Sequence, residues 1–390
     1  MVHLGDLFEF KNGRSFSKNE WQESGIKIIR IQNLNDFRAG YNYFQGDYDS
    51  AIEVNNGDLL FSWSGTVGSS FGPHIWERDT GLLNQHIFKI SFKTDMLLKY
   101  AYYSLLFITE EVERSVVGAV GLVHITKKAL NEFKIPAPPV SEQKRIVAIL
   151  DEVFANIEQA RTNTEQNLKS ARELFESYLQ QVFSQRGEGW IETSLGCIAE
   201  FKNGLNFSQS SKGEKLKVVG VKDFKSNFMV PFEQLETVQI DGDLSEAYEL
   251  KENDIIIVRS NGNKRLIGRC LLMGKVDNKT SYSGFTIRIR LSNKNISPKF
   301  LAYYLKSSST HELLINSGGG ANISNLNQKI LNSLPIAFPH FDQQIQLVDA
   351  IEKVEQESQE LEKVYANKLI LIEELKKSIL LKAFTGELTK

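Results

Sequence analysis

The stretch LGDLFEFKNGRSFS (4–17) returns in register as LGCIAEFKNGLNFS (195–208), so EFKNG stands at both Glu9–Gly13 and Glu200–Gly204. The likeness continues outward. IKIIRIQNL (26–34) pairs with LKVVGVKDF (216–224), and VNNGDLLFSWSG (54–65) with LKENDIIIVRSNG (250–262). AYYSL (101–105) pairs with AYYLK (302–306), and KIPAPPVSEQ (134–143) pairs without a gap with LPIAFPHFDQ (334–343). SYLQQVFS (177–184) matches SILLKAFTG (378–386). The chain is a tandem duplication of one unit of about 190–200 residues. That period is too long for a solenoid and points to two related sites under pseudo-two-fold symmetry.

Each repeat ends on a helix signal. Five of the eight prolines fall in two clusters, Pro136–Pro139 and Pro335–Pro339. No Gly lies between Gly121 and Gly187 or between Gly320 and Gly386, and no Pro lies in 140–230 or after Pro339. Stretches free of both breakers and rich in Glu, Gln, Lys, Leu and Ala form long helices. Residues at steps of three and four run Ile146, Leu150, Val153, Ile157, Ala160, Thr164, Leu168, Ala171, Leu174, Tyr178, Val182. The second set runs Ile351, Val354, Ser358, Leu361, Tyr365, Lys368, Ile372, Leu375, Ile379. Both are coiled-coil seams. Each helix of about 40 residues is about 60 Å long. Neither can bury its stripe alone, and their matched lengths favour pairing within the chain over pairing between chains.

The fold class is therefore α+β: a mixed globular domain plus a long helix, twice, with the two helices paired within the chain as a coiled coil. The expected boundaries are 1–139, 140–186, 187–339 and 340–390. Within the globular parts the pattern predicts strands at 26–32, 57–63 and 86–92, then 216–222, 254–259 and 284–291. Helices are predicted around 96–113 and 298–315.

Composition narrows the function. Hydrophobic residues make up 41% and charged residues 24%, as in ordinary soluble domains. Two cysteines, Cys197 and Cys270, cannot make a disulfide framework, and a reducing cytoplasm is the expected setting. Asp6, Glu9 and Lys11 break any leader-like apolar run. A net charge of −2 speaks against a general nucleic-acid coat protein but leaves room for local basic surfaces. The six histidines have no metal-ligand spacing, and no phosphate loop or nucleophile elbow is present. Asp243, Glu249 and Lys251 resemble a metal-nuclease set only loosely.

The loops carry chemistry suited to DNA. RSNGNKRLIGR (259–269) holds Arg259, Lys264, Arg265 and Arg269 with no acid, and Ser260, Asn261 and Asn263 beside them. Arg and Asn read base edges, and glycines allow backbone to approach phosphates. The matching loop SWSGTVGSSFGPHIWERD (62–79) offers Trp63, Ser64, His74 and Arg78. Gln85 and His86 begin the strand that follows. Lys11, Asn12 and Arg14 lie in the first copy of the repeated turn and Lys202, Asn203 and Asn206 in the second, and the next paired segments add Arg30, Gln32 and Lys222. Different loops at equivalent positions are what reading two different half-sites requires.

These residues resemble the specificity subunit of type I restriction–modification enzymes across nearly the whole chain. PAPPVSEQKRIVAIL, its partner FPHFDQQIQLVDAI and the terminal LKKSILLKAFTGEL carry the likeness most strongly. GDLLFSWSGTVG…LNQHIFKI also fits, while KENDIIIVRSNGNK departs from the Gly-Asp strand start. The resemblance implies two target-recognition domains, each reading part of a split target in double-stranded DNA. It implies helices that pair as an antiparallel coiled coil, set the spacer and dock two methyltransferase subunits, with restriction/translocase subunits joining that core. It also implies no catalytic residue and no cofactor in this chain: S-adenosylmethionine, ATP and Mg²⁺ belong to the partners. The competing readings are a coiled-coil adaptor without DNA readout, a nuclease using Asp243, Glu249 and Lys251, and a homodimer through the helices.

Overall fold

The computed structural model describes the chain except residues 37, 66–69, 117–122, 209, 226, 277, 317–324 and 389–390. Contacts group the chain into two compact units, Met1–Thr164 with Asn367–Lys390, and Glu165–Ala366. Each long helix, Val140–Ser184 and Phe341–Phe384, contributes a segment to both units.

In the first unit, strands Phe8–Asn12, Ile87–Phe92, Leu59–Ser62 and Gly72–Ile75 lie side by side, all antiparallel. Side chains alternate across a strand, so Leu59 and Phe61 join the core under the helices while Leu60 faces a second core. Both faces are covered, which explains the unbroken apolar run LLF. The second core is roofed by Asn42–Phe44, Ile26–Ile29, Gly81–Leu83 and Glu53–Val54, with Ile26–Ile29 and Gly81–Leu83 parallel. The second unit repeats this. Ala199–Asn203, Thr286–Leu291, Ile255–Val258 and Cys270–Leu272 form the antiparallel sheet, and Glu236–Gln239, Lys215–Val219 and Thr280–Tyr282 form the smaller one. Ile255 and Ile257 face one core, Ile256 and Val258 the other.

The repeated EFKNG has a steric cause. A Cβ on Gly13 would stand 2.1 Å from the Asn84 carbonyl oxygen, and one on Gly204 would stand 2.2 Å from that of Ser283. Only glycine lets these turns reach the opposing backbone, where the Arg14 amide donates to Leu83 and the Leu205 amide to Tyr282, both at 2.9 Å. The departure at KEND is conservative in conformation. Gly57 and Asn253 precede equivalent strands, and both are left-handed, with φ 91° and 72°. Asn is one of the few residues other than Gly that tolerates this region.

Several sequence expectations need correction. The strands predicted at 26–32 and 216–222 stop at Ile29 and Val219, and the chain turns into the short helices Ile31–Asn35 and Val221–Phe224. Asn33 and Asp223 side chains accept from the Arg30 and Gly220 amides at 3.0 and 2.8 Å, nucleating those turns. The single helix predicted at 298–315 is two, Pro298–Lys306 and Ser308–Asn316. Ser307 is extended between them, and its hydroxyl accepts from the Thr310 amide. The ungapped pairing of 134–143 with 334–343 is one residue out. Gln143 answers to Gln344: each accepts from a backbone amide, Leu97 or Ser297, at 2.9 Å, and donates at 2.9 Å to the carbonyl of Pro138 or Pro339.

The helices run antiparallel within each unit. In the first, Leu150 shares a core with Leu380, Ala383 and Phe384, and the Lys376 ammonium sits 5.5 Å from the centre of the Phe154 ring. In the second, Ser358 meets Ala171 and Arg172 pairs with Glu362 at 3.2 Å, while Leu179 and Phe183 meet Val348 and Ile351. Burial follows an every-seventh row, Leu150, Ile157, Thr164 and Ala171, matched by Ile351, Ser358 and Ile372. Leu174, Leu361 and Leu375 of the expected seams are exposed. Among the described residues, no helix is long and apolar enough to cross a membrane.

Candidate nucleic-acid interface

Backbone hydrogen bonds fix where the loop side chains of the first unit stand. The Trp63 amide donates to the His86 carbonyl and the Ile125 amide to the Trp63 carbonyl, both at 3.1 Å, while Ser64 pairs with His124. Trp63, His86 and His124 are thereby gathered. The two imidazoles meet the indole at centroid distances of 4.9 and 4.6 Å, and Phe88 stacks beneath it at 5.6 Å. His86 is left-handed, with φ 75°. Trp63 Nε1 and His86 Nδ1 are buried without a partner among the described residues. Burial, then the neighbouring His124, pulls the His86 pKa below the usual imidazole value. This is a compact aromatic patch with unused hydrogen-bonding atoms.

The second unit builds the same frame with different side chains. The Arg259 amide donates to Phe285 at 2.9 Å, the Leu326 amide to Arg259 at 2.7 Å, and Ser260 bridges Asn325. Arg259, Phe285 and Asn325 therefore stand where Trp63, His86 and His124 stand. Phe285 was not among the sequence candidates, although its alignment with His86 was available as a signal. It is 63% exposed. Beside it a groove of about 440 Å³ is lined by Ser260, Asn261, Gly262, Lys222, Glu236 and Val218 among others. Lys222 is held at 2.5 Å by Glu236.

The remaining candidates divide into exposed and internally engaged groups. Lys11, Asn12, Gln85, Asn203, Asn206, Asn263 and Arg265 are exposed. Lys11 and Asn12 end the strand Phe8–Asn12, and Asn203 ends its counterpart and accepts from Gln328. Arg14 pairs with Glu20 and lies over the Phe16 and Phe44 rings at 4.6 and 4.9 Å. Arg30 donates to Asn42 at 3.1 Å and Gln32 to the Gly40 carbonyl at 3.3 Å. Lys202 sits 4.4 Å from the Tyr248 ring centre.

Arg78 and Arg269 have a structural task. Arg78 donates at 2.8 Å to the Asn33 carbonyl, and Arg269 donates at 2.8 Å to the Lys225 carbonyl. Arg78 clamps the short helix that follows Ile26–Ile29, and Arg269 the one that follows Lys215–Val219. His74 lies on Gly72–Ile75, with Nε2 buried and unpartnered among the described residues; burial pushes its pKa down to about 4. Lys264 begins the turn Lys264–Leu266, but its side chain lies outside the described residues, as do 66–69 of the first loop. Among the described residues no group of three or more His, Cys, Asp or Glu side chains is placed to hold a metal ion. The Lys251 amide donates to the Asp254 carboxylate at 2.7 Å.

The family described as the type I restriction modification DNA specificity domain matches this chain twice, over residues 1–168 and 187–370. The type I restriction enzyme EcoBI specificity subunit of Escherichia coli is 24% identical over 417 residues, covering 100% of this chain and 86% of its own. The MjaVIII specificity subunit of Methanocaldococcus jannaschii is also 24% identical, covering 100% and 92%. Among solved structures, a chain from work on complex assembly and conformational transition of the type I R-M system superposes with a TM-score of 0.76 at 18% identity, covering 99% of this chain and 97% of that one. The HsdS subunit of Thermoanaerobacter tengcongensis gives 0.59 at 16% identity, covering 99% and 96%. At these identities the structures speak to the fold.

Proposed function

The chain belongs to the type I restriction-modification DNA specificity family, and from that membership we propose how it divides the work of recognition. It is a DNA sequence-specificity subunit. Each recognition domain reads one block of a two-block target in double-stranded DNA, and the paired helices set the undefined spacer between the blocks. Two methyltransferase subunits dock on the helices, and restriction/translocase subunits join them in the cytoplasm. The chain contributes no catalytic group. S-adenosylmethionine, ATP and Mg²⁺ act in the partners.

One observation carries this reading. The backbone frame around Trp63, His86 and His124 is rebuilt around Arg259, Phe285 and Asn325 with every side chain changed. A shared frame with different side chains gives equal placement and unequal reading. Arg259, Ser260, Asn261, Asn263 and Arg265 supply base-edge and phosphate donors in the second block. Gln85, Lys11 and Asn12, with the Trp63–His86 patch, serve the first. A single block binds weakly, and two joined blocks gain through effective concentration.

The test is a map of modified adenines in DNA from cells that express the chain with its methyltransferase partner. Two short defined blocks around a fixed spacer support the proposal. Replacing residues 1–135 with another recognition domain changes one block only. An active methyltransferase complex that leaves no two-block pattern refutes it in favour of the adaptor reading.

A further inference from the structure

We propose that Phe285 is a specificity-determining residue of the second block, its ring making the apolar contact to a thymine methyl group. This deepens the proposed function and rests on it. A single exposed aromatic side chain is unremarkable in itself. Phe285 differs because its carbonyl and the backbone of both its neighbours are held. Its carbonyl accepts from Arg259, Gly284 before it donates to the Leu205 carbonyl at 2.6 Å, and Thr286 after it accepts from Gly204 at 3.1 Å. A Cβ on Gly284 would stand 2.1 Å from Asn206 Oδ1, so the loop is also braced from its flank.

An apolar ring is thus presented to solvent from a fixed mount, 63% exposed, at the mouth of the groove that holds Ser260 and Asn261. Arg259 stands beside it on the same frame. Polar donors for base edges around one apolar surface match the major-groove face of an A·T pair, where the thymine methyl is the apolar feature. In the first unit the same mount carries His86, tucked against Trp63 and turned into the left-handed region. The two blocks are therefore read by unlike chemistry at one homologous point.

The experiment uses the full chain assembled with its methyltransferase subunits. Binding and methylation are selected from duplexes with a randomised second block, for the native chain, Phe285→Ala and Phe285→Leu. The native complex is expected to require one A·T pair that Phe285→Ala no longer distinguishes, while the other positions of the second block stay unchanged and report an intact second unit. Replacing that thymine by uracil removes only the methyl group. It should weaken native binding by about three- to tenfold and leave Phe285→Ala unaffected. A native two-block motif that survives Phe285→Ala unchanged overturns this inference alone. A lost preference with no sensitivity to uracil overturns the methyl contact. Absence of any two-block motif for the native complex overturns the parent reading as well.

Discussion

The Ser358 hydroxyl donates a 2.6 Å hydrogen bond to the carbonyl of Ala171, and both residues are buried where the long helices touch in the second unit. Small side chains permit that approach. Ser358→Leu or Ala171→Leu should force the helices apart and cost about 1–3 kcal/mol. Denaturant unfolding followed in the second unit checks this. An unchanged midpoint would show that the row is not close-packed.

Gln344 is buried and satisfies three backbone groups at once. It accepts from the Ser297 amide and donates to the carbonyls of Asn295 and Pro339. Gln344→Leu strands all three, at roughly 1–3 kcal/mol for each group left unsatisfied. The variant should unfold at clearly lower denaturant, and Gln143→Leu should do the same in the first unit.

Gly13→Ala and Gly204→Ala should each collapse one turn, because the new methyl meets a backbone oxygen at 2.1 or 2.2 Å. The loss should exceed about 2 kcal/mol. Preference for one DNA block should weaken while the other persists. Gly40→Ala, which meets nothing within 4 Å, is the matched control and should be near neutral.

His74 makes the first unit acid-sensitive. Its pKa falls from 6.5 to about 4 on folding, chiefly through burial. Between these values the unfolded chain binds more protons, so stability is present above pH 6.5 and is lost as pH falls toward 4. The melting temperature of the native chain should drop more from pH 7 to pH 5 than that of His74→Gln, by a few degrees. Equal slopes would place the proton elsewhere.

Much of the architecture was legible because duplication writes the same physical demand twice. Gly13 and Gly204 mark one steric constraint, and the two breaker-free stretches mark the helices. The register at Gln143 and Gln344 was less legible: QQ at 343–344 offers two neighbours of the same type, and only the amide partners tell them apart. Site chemistry was hardest to read. Arg78 and Arg269 look like phosphate ligands in sequence, yet both donate to carbonyls within their own domain. Phe285 looks like core, because exposure is set by loop geometry rather than residue type. Leu361 and Leu375 kept the helical period but not the burial, since two helices cover only one narrow row on each other.

The composition of the compact units bears on the order in which the protein is born. Residues 165–366 are contiguous, so everything the second unit needs has been synthesised before residue 367 is added. The first unit leaves the ribosome earlier but lacks Leu380, Ala383 and Phe384 of its core, the last of which packs against the Tyr100 and Phe107 rings. Its apolar face must wait uncovered through the synthesis of the entire second unit. Domains tend to fold as they emerge. Here the half made first is the half completed last: its core closes only once residues 367–390 have followed the entire second unit.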